Sequence, residues 1–182
     1  KTLYEGKPLP QKASSYRQWV SAVKRYPYQH PEEASYWENQ LQSMASYHIT
    51  AHAAKPRIEF IELDKTLTGL LLQNASKAYN TEINDLLLTA LAYALREINQ
   101  NTIQGITLEG HGREDIGADI DVSRTMGWFT SMYPVVINTN YSSGLIRHII
   151  EVKETLHRVP NKGVGYSILR YLAKKPYPLN TD

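Results

Sequence analysis

The sequence predicts an α/β sandwich in which helices cover a sheet. Three observations carry that prediction. From Arg57 onward, stretches that alternate apolar and polar residues interleave with stretches whose apolar residues recur at helical spacing. The segment "INDLLLTALAYALREI" is the clearest helix, with Ile83, Leu86, Leu87, Ala90, Leu91, Ala94, Leu95 and Ile98 on one wide apolar face. Before Arg57 the pattern is different, with two helical stretches interrupted by prolines.

In chain order, "KTLYEGKPLPQK" (Lys1 to Lys12) is proline-interrupted and reads as a loop. Ser14 and Ser15 are candidate caps for a helix to about Arg25, with Tyr16, Trp19, Val20 and Val23 on one face. Pro27 and Pro31 are expected to break it, Pro31 opening a second helix to about Met44 that carries Tyr36, Trp37 and Leu41. "ASYHITAHAAKP" is irregular and marks a boundary, dividing residues 1–56 from residues 57–182. "RIEFIEL" (Arg57 to Leu63) alternates as a strand. Asp64 is then the candidate N-cap of a helix carrying Leu67, Leu70, Leu71, Ala75 and Ala78. "QGITLEGHG" and "SMYPVVINTN" read as two further strands, Pro134 placing the second at an edge or a bulge. Leu145, Ile149, Val152 and Leu156 form another amphipathic helix, and a shorter one follows Gly165. No internal repeat or low-complexity tract is present.

Composition narrows the function classes. Twenty Lys and Arg stand against 18 Asp and Glu, a net charge of +2. Despite a pI near 8.7, that balance offers no footprint for nucleic acid or an anionic membrane. No apolar run is long enough to span a bilayer, and no signal-peptide pattern appears. The absence of cysteine excludes disulfides, thiolate catalysis and Cys-based zinc sites. A first residue of Lys rather than Met leads us to expect an excerpt of something longer.

Most chemical signatures are missing. "GHGRED" and "GVGYSI" begin as G-x-G without the third glycine of a dinucleotide turn, and neither a phosphate-binding P-loop nor a nucleophile elbow occurs. His48 and His52 stand four apart, but without flanking carboxylates they read as surface histidines rather than metal ligands. Tyr16, Trp19, Tyr36 and Trp37 fit packing better than a stacking platform. Lys174 and Lys175 fit a solvated helix end.

One stretch stands apart. In "LEGHGRE" (Leu108 to Glu114) the strand register sends Ile106 and Leu108 to one face and Thr107, Glu109 and His111 to the other. Three polar side chains in a row make that face wet, as an exposed strand entering a polar loop or as the lining of a cleft. Gly110 and Gly112 permit close backbone approach or a bend.

"LEGHGRE" followed by "SRTMGWFTSMYPV" (Ser123 to Val135) resembles two adjacent motifs of the epimerization domains of nonribosomal peptide synthetases. "NDLLLTALAYAL" (Asn84 to Leu95) and "PNKGVGYSILRYL" (Pro160 to Leu172) resemble the motifs before and after them. The four occur in the family's order over about half the chain, and the "RTxGWFT" form is the most specific. Related condensation domains usually lack this tryptophan–phenylalanine–threonine run.

The resemblance implies a chloramphenicol-acetyltransferase-like fold: two α/β lobes set as a V around a tunnel. Residues 57–182 would form most of the C-terminal lobe, and residues 1–56 a connecting segment with two helices from the lobe junction. It implies inversion of an amino acid's α-carbon, held as a thioester on the phosphopantetheine arm of a peptidyl carrier protein, with no cofactor or metal bound directly. Glu109 matches the family's glutamate proposed as an acid/base group, a role that partial desolvation by a tunnel wall would favour. Arg113 resembles an arginine that braces the lobes through an aspartate of the family's histidine motif. Its alternative is a surface ion pair with Glu114 or Asp115. His111 either tunes Glu109 or contacts substrate, or is simply solvated. Trp128 and Phe129 fit core packing better than substrate contact, while Thr130 and Tyr133 offer hydroxyls near the tunnel. The glycines of "NKGVGYS" imply a turn and tight helix packing, and Ser167 stands where some relatives have a further glycine.

Two family motifs are absent from these residues: the HHxxxDG histidine motif of the N-terminal lobe, and the asparagine-containing "FNYLG" type. The chain alone is therefore expected to be inactive as an epimerase. Its expected partners are the carrier protein, the other lobe and neighbouring synthetase modules, in the cytoplasm. Two other functions remain open: a condensation domain joining two carrier-bound substrates, and a non-catalytic module that docks a carrier.

Overall fold

A computed structural model of the chain describes Gly6 and residues 12–44, 58–117, 119–140 and 144–173. The 1–56 boundary, most of the Lys1–Lys12 loop, His48, His52, Lys174 and Lys175 lie outside the described residues. The chain forms two compact units. The first comprises Lys1–Trp37, Glu109–Tyr133 and Pro160–Asp182, and the second Glu38–Leu108 and Pro134–Val159. Among the described residues, no helix is long and apolar enough to cross a membrane, and no group of three or more His, Asp or Glu could hold a metal.

Helix α1 (Tyr16–Gln29) begins at the predicted cap, where Ser15 and Gln18 satisfy one another's backbone in a capping box. It runs through Pro27 to Gln29 instead of stopping near Arg25. Proline removes one backbone donor and crowds the preceding turn. Here its ring is buried, and His30 N–H closes the last turn on the Tyr26 carbonyl at 3.0 Å. Helix α2 (Glu33–Met44) starts two residues beyond Pro31, which instead occupies a turn. Trp19 and Trp37 are buried and Tyr16 meets Phe129 edge-on, so these aromatics are packing residues.

The strand expected over "RIEFIEL" does not form in its described part. Residues 58–63 have no regular structure, and Ile58, Phe60 and Ile61 are exposed. Alternation describes a surface suited to a sheet, but a strand also needs a neighbour for its backbone groups. The sheet among the described residues has only two strands, and both lie elsewhere. Asp64 caps the next helix as expected, accepting from Leu67 N–H at 2.7 Å. That helix, α3 (Lys65–Gly69), passes through a π-helical stretch at Leu70–Ala75 into α4 (Ser76–Tyr79).

Helix α5 (Ile83–Asn99) forms as predicted, but it buries a different face. Asp85, Thr89 and Ala92 are inside, whereas Leu87, Leu91 and Ile98 of the expected core stripe are exposed. Strands β1 (Ile103–Gly110) and β2 (Ser131–Asn138) make the sheet, and with no third strand among the described residues each has an open edge there, one of the two settings expected for Pro134. Helix α6 (Leu145–His157) packs on α5, and α7 (Val164–Leu172) packs on α1. The first unit's core is built on Trp19, Ala22, Tyr26, Phe129, Val164 and Ile168.

In the second unit, His148 is fully buried on α6, donating from Nε2 to the Asn138 carbonyl at 3.0 Å with Tyr93 edge-on to its ring. Burial pushes its pKa below the ordinary histidine value. The Asn138 carbonyl opposes that shift and the Arg96 charge adds to it. The folded state therefore takes up this proton less readily than the unfolded chain. Its stabilising share is complete above the unfolded histidine pKa of about 6.5 and is lost as pH falls from there through the folded value. Denaturant midpoints should decline between about pH 7 and pH 5. His148→Gln is expected to flatten that decline, and equal slopes in the two proteins would count against it.

Candidate active site

The site is built where β1 ends and the chain turns back into β2. Thr139 N–H bonds to the Thr102 carbonyl at 2.7 Å at one end of the pair, and Gly112 lies against the Phe129 carbonyl at the other. That antiparallel register sets Met132 opposite Glu109, and side chains directly opposite share a face. Glu109 is exposed, as are Thr107 before it and Met132 across from it, so this end of the face is open to solvent, while Pro134 opposite Thr107 is buried. Glu109 makes no hydrogen bond or ion pair among the described residues. The desolvating wall expected around it is not formed by them either. Tyr133 points the other way, half-buried against Trp37, where burial and then the Glu114 charge raise its pKa.

Gly112 makes the close approach possible. Its φ is +67°, and a Cβ there would collide with the Phe129 carbonyl. His111 follows directly after β1. Its Nδ1 accepts from Arg113 N–H at 3.0 Å, which leaves the Nε2 proton to face Glu114 Oε1 at 3.2 Å. Glu114 Oε2 lies 3.5 Å from Lys162 Nζ. His111 is thus committed to Glu114 rather than to Glu109. Glu114 and Lys162 are members of this cluster that the sequence did not single out as functional. The i,i+3 spacing of His111 and Glu114 was the available signal for one; nothing local pointed to Lys162.

Among the described residues Arg113 makes no ion pair with Glu114 or Asp115, the alternative to bracing the lobes. Its guanidinium donates to the carbonyls of Val122, Thr125 (2.8 Å) and Gly127 (3.4 Å), and it stacks 4.1 Å from the Phe129 ring centre. It therefore holds the loop that carries "RTMGWFT". The loop is also tied to the start of α1. Ser14 exchanges hydrogen bonds with Asp121, Thr125 donates to the Ser14 carbonyl, and the Tyr16 hydroxyl donates to the Trp128 carbonyl at 3.0 Å. Phe129 packs in the core as expected. Trp128 does not: it is 78% exposed, its backbone anchored and its ring turned to solvent.

The condensation-domain family model matches residues 1–178. Bacitracin synthase 3 of Bacillus licheniformis is 40% identical over 173 residues, and gramicidin S synthase 1 of Brevibacillus brevis 41% over 174. These alignments take in 91% and 90% of this chain but only 3% and 16% of those proteins. Among solved structures, the epimerization domain from the third module of tyrocidine synthetase B superposes with a TM-score of 0.76 at 35% identity. That match covers 98% of this chain and 43% of the other. The first condensation domain of the calcium-dependent antibiotic synthetase shares the fold, with a TM-score of 0.67 at 16% identity over 94% of this chain and 39% of the other. The chloramphenicol-acetyltransferase-like α/β fold that the motifs implied is therefore the fold of this chain, which carries part of it. The chain belongs to the condensation-domain family.

Proposed function

We propose that this chain is the Glu109-bearing part of an epimerization domain of a nonribosomal peptide synthetase. The substrate is an aminoacyl or peptidyl thioester on a carrier protein's phosphopantetheine, and the reaction inverts its α-carbon. The observation that carries the reading is the exposed carboxylate of Glu109 on the solvent face of β1. The 35% identity to a tyrocidine epimerization domain, against 16% to a condensation domain of similar fold, favours the same reading.

An α-proton beside a thioester is weakly acidic, so its removal needs a placed base and stabilisation of the enolate. Glu109 takes or returns that proton on one side of the α-carbon. The second donor, on the opposite side, comes from the histidine motif carried by the rest of the domain. Carrier protein and neighbouring modules are the partners this chemistry requires.

The test uses the intact domain containing this segment and an aminoacyl-loaded carrier in deuterated water. Deuterium entering the α-position with inversion supports epimerization. No α-exchange, with two loaded carriers joined into a dipeptide, would instead identify a condensation domain. Carrier binding with neither reaction would identify a docking module.

A further inference from the structure

In the first unit a buried acid and a buried phenol face each other. Glu33 is 3% exposed and Tyr26 0%. The Tyr26 hydroxyl donates to Glu33 Oε1 at 2.6 Å, and Asn161 Nδ2 donates both to that hydroxyl (2.6 Å) and to the same carboxylate oxygen (2.8 Å). Burial, then Glu33, pushes the Tyr26 pKa far above the usual phenol range, so the hydroxyl remains a donor. Apolar side chains would fill this space without the cost of desolvating a carboxylate. Packing alone does not account for the network, whereas its reach does.

Asn161 is the first of three successive residues in left-handed backbone: φ is +42° at Asn161, +48° at Lys162 and +82° at Gly163. Asparagine tolerates that region, but lysine does so poorly, and such a run persists only where its surroundings enforce it. The turn presses onto the strand pair. A Cβ on Gly163 would enter the Tyr133 ring, and the Lys162 carbonyl lies 3.7 Å from the place a Gly110 Cβ would take. From this turn Lys162 reaches Glu114, which in turn holds His111.

We propose that the Tyr26–Glu33–Asn161 network is a positioning device for the end of β1. Tying the Asn161 side chain to the buried Tyr26 hydroxyl and Glu33 carboxylate holds the 161–163 turn left-handed. The turn then sets Lys162, Glu114 and His111 beside the strand that carries Glu109. The catalytic consequence rests on the epimerization reading; the clamp itself does not.

The test compares the intact domain with Tyr26→Phe, which removes only the shared hydroxyl, and with Asn161→Ala and Asn161→Gly. One readout is amide hydrogen exchange of residues 110–114, which needs no substrate. The other is kcat and KM for α-hydrogen exchange of an aminoacyl carrier. Tyr26→Phe and Asn161→Ala are expected to speed amide exchange at 110–114 and to lower kcat about tenfold, with KM within about twofold. Asn161→Gly, whose backbone accepts left-handed angles, should recover part of the alanine loss. If Asn161→Ala does not fold, Tyr26→Phe decides. Unchanged amide exchange at 110–114 with unchanged kcat overturns the proposal, even if Tm falls, because the network is then only core. If the parent domain exchanges no α-hydrogen, the epimerization reading has failed and the amide arm decides the clamp alone. Faster exchange at 110–114 supports it, and unchanged exchange overturns it.

Discussion

Glu109→Gln in the intact domain is expected to slow α-hydrogen exchange by roughly 10²–10⁴-fold, the usual range for loss of a positioned general base. The amide keeps the shape of the side chain and removes its basicity. Structure makes this a clean substitution, because Glu109 is exposed on β1 and makes no hydrogen bond or ion pair among the described residues. The unfolding midpoint should therefore stay within about 0.5 kcal/mol of the parent. Starting from the L and the D thioester separately adds a second reading. A group serving one side of the α-carbon should impair deprotonation of one enantiomer more than of the other. If Glu109→Gln exchanges within a few-fold of the parent from both enantiomers, Glu109 is not the acid/base group.

Arg113→Ala should destabilise the fold by about 2–3 kcal/mol. It leaves the carbonyls of Val122, Thr125 and Gly127 without their charged donor and removes the stack on Phe129. Arg113→Lys should fall between, because an ammonium cannot reproduce a planar fork aimed at several carbonyls and an aromatic face. Both are measured as shifts in the urea midpoint at constant slope. The loop these bonds hold leads directly into β2 and Met132, opposite Glu109, so the substitution should also lower α-exchange activity. A midpoint change of no more than about 0.5 kcal/mol would place Arg113 among ordinary surface residues. Activity lost without any loss of stability would instead favour a role outside these residues, such as bracing the other lobe.

The two residues show how differently sequence and structure inform. Glu109 was legible because a strand's alternation is local: once β1 is recognised, the face of each side chain follows from parity. Arg113 was not. The resemblance implied bracing of the lobes, with an ion pair to Glu114 or Asp115 as the alternative. Its partners among the described residues are backbone carbonyls nine to fourteen positions onward, and carbonyls carry no sequence signal. Trp128 and Phe129 had the same apolar character, yet one is exposed and the other buried. Only the anchoring of the loop on α1 and Arg113 decides which of the two turns inward.

The sequence by itself determined the local elements: the serine cap of α1, the Asp64 cap, helices α5 and α6, and the alternation of β1 that exposes Glu109. All of these depend on residues within a turn or two of one another, where spacing and side-chain chemistry suffice. The motifs it carries, read in order, also led to the family. The tertiary structure alone decided which apolar faces are covered. Ile58–Leu63 has strand periodicity but no neighbouring strand among the described residues, and α5 turns Asp85 and Thr89 inward while Leu87 and Leu91 stay outside. It alone joined Tyr26 to Asn161 across 135 positions, and Lys162 to Glu114. The physical reason is the same in each case. Periodicity states what a segment is able to bury, whereas burial and hydrogen bonding need a partner, and the chain's return path selects that partner.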